Sequence, residues 1–240
     1  FSTITWNALQ NDRRRLHILE QKLRDIVHEL EQRTGKAFGG SAQPLLLMAR
    51  SGGVTSMPGL LDTISHIGIN RDIADRWSSC LDEPHRAYQA YISFLLSYAQ
   101  SVLGLHTHDI IKAAGGKKYE QLVKNNIAAI RSDADRILLV IRSQSSLGAD
   151  AVPEDPFTQL YNAVIAVFKS YENEIVQKQA RNFSIPDTFQ TACLVQECLP
   201  ILSEHDCSGV FFTRNPNTGN IGAIHPGQIE FAEGFFGNVV

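Results

Sequence analysis

The chain has 240 residues, 43% of them hydrophobic and 20% charged, with a formal net charge of -3. Such a composition builds a buried core and excludes an intrinsically disordered chain, and the slight acidic excess argues against nucleic acid as a partner. No apolar run approaches the roughly 20 residues that cross a bilayer, and the N-terminus lacks a basic-then-apolar leader, so the expectation is a soluble, cytoplasmic protein with no membrane contact.

The first predicted element is an amphipathic helix. Leu16, Leu19, Leu23, Ile26, Val27 and Leu30 recur at steps of three and four, which puts them on one face. Glu29 and Arg33 stand one turn apart on the outer side, and Gly35 followed by Gly39-Gly40 ends the helix. Arg13, Arg14 and Arg15 are flanked by Asp12 and Glu20 and read as a solvated helix face. Pro44 to Ala49 is a continuous apolar run bounded by turn residues, the pattern of a strand covered on both faces. A loop from Arg50 to Gly59 follows it, and a helix is expected through Leu60, Leu61 and Ile64.

Helical signals continue from about Asp72 to Arg131, with Ile92, Leu95, Leu96 and Ala99 in one run and Leu122, Ile127 and Ile130 in another. His106, His108 and Asp109 have alternate spacing on a presumed loop and read as solvated groups, not metal ligands. Ile137 to Val140 fits strand or helix, and Ser143 to Asp150 reads as a loop. Asp155-Pro156 then supplies an N-cap and a first-turn proline for a helix carrying Phe157, Leu160, Tyr161, Val164, Val167, Phe168 and Tyr171. Beyond about Pro186 three strands are expected, over Thr191–Leu199, Gly209–Thr213 and Ile221–Ile224, with a turn at Asn215–Asn220. Cys80, Cys193, Cys198 and Cys207 have irregular spacing and read as buried free thiols. The order of elements is α+β.

Chemistry concentrates between Arg50 and Gly59. A buried strand delivers a loop in which Gly52 and Gly53 let backbone N–H groups approach a ligand, while Ser51, Thr55 and Ser56 add hydroxyls. Arg50 supplies a planar fork of donors that matches phosphate oxygens, and Pro58-Gly59 precedes a helix whose positive end suits the same anion.

The order of residues adds to this. The run Pro44-Leu-Leu-Leu-Met-Ala-Arg-Ser-Gly-Gly-Val-Thr-Ser-Met-Pro-Gly-Leu-Leu-Asp-Thr63, with Ile67-Gly68-Ile69-Asn70 after it, resembles the ATP-grasp nucleotide-binding domain of the pyruvate, phosphate dikinase family. Val152 to Ser170, Thr191 to Glu197 and Gly209 to Gly219 are similar to further segments of that family, in the same order. The resemblance implies an ATP-grasp-like fold: part of a first lobe with the phosphate loop over 1–71, a helical subdomain over 72–150 and a second, antiparallel β lobe over 151–240. It implies an ATP-dependent phosphotransferase using ATP and Mg²⁺, whose β-phosphate passes to a histidine on a separate swivelling domain and then to pyruvate on another. The partners implied are the nucleotide and those two further domains, through which a homodimer is also allowed.

By the same resemblance Arg50 is the catalytic, phosphate-binding residue. Ser51, Gly52, Gly53, Thr55 and Ser56 line the phosphates, Gln196 and Cys198 lie at the adenine edge, and Glu230 is the metal ligand. Gln228 departs from the family, which commonly keeps a carboxylate two residues before that glutamate, and an amide is a weaker Mg²⁺ ligand. Arg214 is read as bracing the turn at Asn215-Pro216. The chain opens on Phe1 and lacks a Gly-Gly-x-Thr-x-His phosphohistidine motif, so it is expected to be a piece of a longer enzyme and inactive alone. The family's N-terminal lysine would precede Phe1, and its further arginine contacts would follow Val240. Two other readings stand beside this one: a non-catalytic nucleotide-sensing or interaction module of the same fold, and a sister dikinase with another acceptor.

Overall fold

The computed structural model describes residues 13–52, 63–116, 126–182, 191–203, 205–212 and 228–233. The chain forms two compact units, Phe1–Pro200 and Ile201–Val240, and its helices and antiparallel strands make an α+β fold in keeping with an ATP-grasp-like layout.

The first unit opens with helix α1 (Arg13–Thr34). Of its predicted stripe Leu19, Leu23 and Val27 are buried and Leu16, Ile26 and Leu30 half-buried, and Arg33 donates to Glu29 at 2.5 Å on the outer side. Gly35 closes the helix in the left-handed conformation, φ +69°, its N–H donating to the Glu31 carbonyl at 2.9 Å. Arg24 lies over the Phe157 ring at 3.8 Å, which fastens α1 to a helix far along the chain.

Strands β1 (Ala37–Phe38) and β2 (Pro44–Leu45) form a short parallel pair. β3 (Leu47–Gly52) is the centre of a three-stranded antiparallel sheet, with β4 (Thr63–Ile67) on one side and β5 (Ala192–Glu197) on the other. The apolar run from Pro44 to Ala49 is therefore β2 and β3 together, and Pro44, Leu45, Leu46, Leu47 and Ala49 are all buried. The helix expected to include Ile64 is not present there. Ile64 lies inside β4, and residues 53–62 are outside the described set.

Helices α2 (Arg71–Ser78), α3 (His85–Ser101) and α4 (Thr107–Ala113) follow, with Asn70 capping α2 by accepting from Ile73 N at 2.8 Å. α3 is the central helix of the unit: Tyr88, Tyr91, Ile92, Phe94, Leu95, Tyr98 and Ala99 are all at most 2% exposed. His106 caps α4 and is exposed, as is His108, and Leu122 lies outside the described residues. Helix α5 (Ile127–Gln144) resolves the ambiguity at Ile137–Val140. Ile130, Ala134, Ile137, Leu138 and Ile141 are buried on one helical face, a spacing no strand could satisfy. A 3₁₀ turn at Gly148–Ala151 occupies the end of the expected loop.

Asp155 caps helix α6 (Pro156–Ser170), accepting from Thr158 N at 2.9 Å and Thr158 Oγ1 at 2.7 Å. These bonds hold its carboxyl below the usual range. Helix α7 (Glu174–Asn182), which the periodicity did not announce, comes next. In the second unit β6 (Cys207–Phe212) pairs antiparallel with β7 (Gln228–Glu233). The strand expected at Ile221–Ile224 and the turn at Asn215–Asn220, with Arg214 beside it, lie outside the described residues.

Candidate functional site: one face of the central sheet

Side chains alternate across a strand, so the sequence of β3 sorts itself onto two faces. Leu47 and Ala49 are fully buried in a strand that packs against α6, whereas Arg50 is exposed and Met48 half-buried. The partner strands continue this division. In the ladder Arg50 stands opposite Leu194 on one side and Thr63 on the other, and all three are exposed. Met48 stands opposite Gln196, and Gln196 is exposed too. Arg50 and Gln196 are thus diagonal neighbours on one face, a relation that places Cβ atoms roughly 7–8 Å apart in antiparallel sheets.

Among the described residues no carboxylate is paired with Arg50. Leu194, 44% exposed, gives the same face an apolar patch. It leans over Gly52, where a Cβ would run into the end of the Leu194 side chain. An apolar side chain and an amide on β5, with a guanidinium across from the first on β3, suit a ligand that is apolar at one end and anionic at the other. At the end of β5, Lys36 donates to Glu197 at 2.7 Å and ties the turn after α1 to the strand that carries Gln196.

The remaining residues named from the sequence divide. Gly52 stands opposite Ala192, on the face of Arg50. Ser51 stands opposite buried Cys193, on the other face. Gly53, Thr55 and Ser56 lie outside the described residues. Cys198 is 5% exposed and packed in the core, its backbone N–H donating to the Leu46 carbonyl at 2.8 Å. Burial pushes its thiol up to about 11, against a smaller downward pull from the His66 backbone N–H. Glu230 belongs to the second unit, where it opposes Val210, and Gln228 opposes Phe212 two residues earlier on the same strand. Among the described residues no cluster of three or more His, Cys, Asp or Glu is placed to hold a metal ion.

Sequence reading missed Thr63 and Leu194 as members of this face. Thr63 was hidden because Leu60, Leu61 and Ile64 mimic helical spacing. Leu194 could have been found from alternation within Thr191–Leu199, since it shares the parity of Gln196. A depression of about 400 Å³ lies elsewhere, between the C-terminal ends of α3 and α6, lined by Val102, Asn162, Ile165 and Lys169 among others. It holds none of the residues named above.

Comparison with known proteins gives consistent relatives. The chain is 31% identical over 211 residues to the pyruvate, phosphate dikinase of Clostridium symbiosum, which covers 85% of this chain and 24% of that protein. It is 29% identical over 212 residues to the protein of the same name from Rhizobium meliloti (strain 1021), covering 84% and 23%. A third, from Giardia intestinalis, is 30% identical over 209 residues, again covering 84% and 23%. The chain spans about a quarter of the length of the curated relatives it matches. No protein-family model matches it.

Proposed function

We propose that this chain, a relative of the pyruvate, phosphate dikinases, is the nucleotide-binding portion of a dikinase-like phosphotransferase. One observation carries the reading: Arg50 and Gln196, distant in sequence, share an exposed sheet face across adjacent strands. Arg50 grips the phosphate oxygens of ATP through parallel N–H bonds, the interaction a guanidinium makes best. Gln196 meets the purine edge with its amide, and the Leu194 side chain supplies apolar surface to the base. Thr63, opposite Arg50, adds a hydroxyl on the phosphate side.

Mg²⁺ suits a site with few protein ligands, because it keeps most of its waters and takes the rest of its shell from substrate phosphates. In this reading Glu230 supplies one carboxylate, and Gln228 stands two residues before it on the same strand. When bound, the ion would neutralise charge on the phosphate oxygens. Attack by a histidine of a swivelling domain on the β-phosphorus would expel AMP, and once the γ-phosphoryl group has gone to inorganic phosphate or water the remaining phosphoryl group would pass to pyruvate, in domains beyond this stretch. In this chain catalysis rests on holding the phosphates in line and offsetting their charge.

Calorimetric titration with Mg-ATP tests the reading. Arg50→Ala is expected to weaken binding by about 30- to 100-fold, the value of two charge-assisted hydrogen bonds. Arg50→Lys keeps the charge, loses the fork and should recover only part of the loss. Equal affinity in all three proteins would refute the proposal. A second reading, a nucleotide-sensing module without phosphoryl transfer, is favoured by Gln228 alone. Gln228→Asp in the complete enzyme should raise Mg²⁺-dependent transfer under the first reading and leave it unchanged under the second.

A further inference from the structure

We propose that His66 is a positioning residue for the nucleotide face: its left-handed backbone makes the bulge that decides which side chains stand beside Arg50. The proposal rests on reading that face as the nucleotide site and adds how the face is held.

The register of β3 against β4 is uneven. Leu47 pairs with Ile67 and Ala49 with Ile64, so β3 advances two residues while β4 advances three. Ser65 and His66 together therefore oppose Met48, which is a β-bulge. His66 sits in it at φ +56°, the one positive value at a non-glycine position among the described residues. The consequence is a change of phase. Ile64 and Ile67, three apart, would point to opposite faces of a regular strand, yet both are fully buried. Thr63, before the bulge, remains exposed opposite Arg50. Without the extra residue, either an isoleucine would turn to the open face or Thr63 would leave it.

The bulge is anchored on both sides. The Ser65 N–H leaves the ladder and donates to Ser97 Oγ on α3 at 3.3 Å, and the Ser65 and Ser93 hydroxyls meet at 3.2 Å. The His66 N–H is directed at the Cys198 sulfur. Cys198 in turn donates its own N–H to Leu46, immediately before β3. One residue beyond β5, the strand of Gln196, is thereby locked to the bulge and to the start of the Arg50 strand. The imidazole is 3% exposed, with Nδ1 3.1 Å from Ser65 Oγ, and packs the bulge shut. Cys198, named from the sequence as an adenine contact, has a structural partner that accounts for its burial.

Glycine and asparagine accept this backbone conformation and a β-branched residue does not, which separates backbone from imidazole. The unmodified chain and its His66→Gly, His66→Asn, His66→Val and Cys198→Ala variants are compared in two measurements. One is Mg-ATP affinity by calorimetry, and the other is hydrogen exchange in peptides covering Leu47–Gly52 and Thr63–Ile67. His66→Val is expected to weaken Mg-ATP about tenfold or more and to speed exchange in both strands, while the Gly and Asn variants stay within about threefold. Cys198→Ala, a smaller change than His66→Val, should move both readouts in the same direction by a smaller factor. Two results would overturn the proposal: normal affinity in His66→Val or Cys198→Ala despite faster exchange, or Gly and Asn variants as impaired as Val. If the unmodified chain binds no Mg-ATP, the nucleotide reading fails by itself, and the exchange comparison alone decides whether His66 holds the face.

Discussion

At the scale of single residues, His66 has a consequence for stability. It is buried, and burial pushes its imidazole down to about 4. The unfolded chain takes up a proton near pH 6.5 and the folded chain does not, so the unfolded state binds more protons between pH 6.5 and 4. Stability is therefore fully present above about 6.5 and falls as pH drops towards 4. The shift corresponds to at most about 3 kcal/mol. Thermal midpoints measured from pH 7.5 to 4.5 should fall in the unmodified chain and fall less in His66→Asn, which keeps the backbone conformation. His85, also lowered by burial, contributes in both proteins and cancels in the comparison.

Arg50 was legible in the sequence because one cationic residue after an apolar run stands out whatever the strand's register. The phase of β4 was not legible. A bulge breaks the period-2 pattern on which strand reading depends, and a histidine in place of glycine gives no signal of positive φ.

At the scale of elements, a single side chain joins three segments. Gln159 on α6 is fully buried. Its Oε1 accepts from Gly68 N at 3.0 Å, and its Nε2 donates to the carbonyls of Ile69 at 3.0 Å and Pro153 at 2.8 Å. These are backbone groups of the turn between β4 and α2 and of the segment before α6, which no strand ladder or helix satisfies. Gly68 takes φ +106°, and a Cβ there would come within 2.6 Å of the Phe38 ring, so the turn admits no larger residue. Gln159→Leu keeps the volume and strands the buried polar groups. It should destabilise the first unit by about 3 kcal/mol or more, measured by denaturant unfolding. Gln159→Glu should also destabilise, since it replaces two donors with a buried charge.

The helices show where sequence reading works. Asp155 and Pro156 announced α6 because a cap and a first-turn proline are local chemistry. The strand β4 and the helix α5 needed the rest of the fold, since short runs such as Leu60–Ile64 and Ile137–Val140 satisfy either period until packing chooses.

At the scale of the whole molecule, the two units offer separate reporters. Cys193 and Cys198 are buried in the first unit, with thiols pushed up by burial to about 12 and about 11. Cys80 and Cys207 are exposed, one in each unit, against the burial expected for them from the sequence. A thiol reagent at pH 8 should label two cysteines rapidly and the other two only at the rate at which the first unit opens. Four rapidly reacting thiols in the native chain would contradict the burial of β5. The fold class was readable from element order, whereas the assembly of the central sheet was not, because neither strand partner of β3 is specified by local sequence.

Lys36 and Glu197 lie 161 residues apart and still meet at the rim of that sheet. During synthesis the strand bearing Arg50 emerges early, but β5 reaches it only after every helix of the first unit has left the ribosome. Until then one side of β3 offers unpaired N–H and C=O groups to any extended chain nearby. The face that carries Arg50 is thus among the last parts of this unit to be completed, and a nascent chain halted within the helical middle carries an open template for aggregation where the finished protein carries its guanidinium.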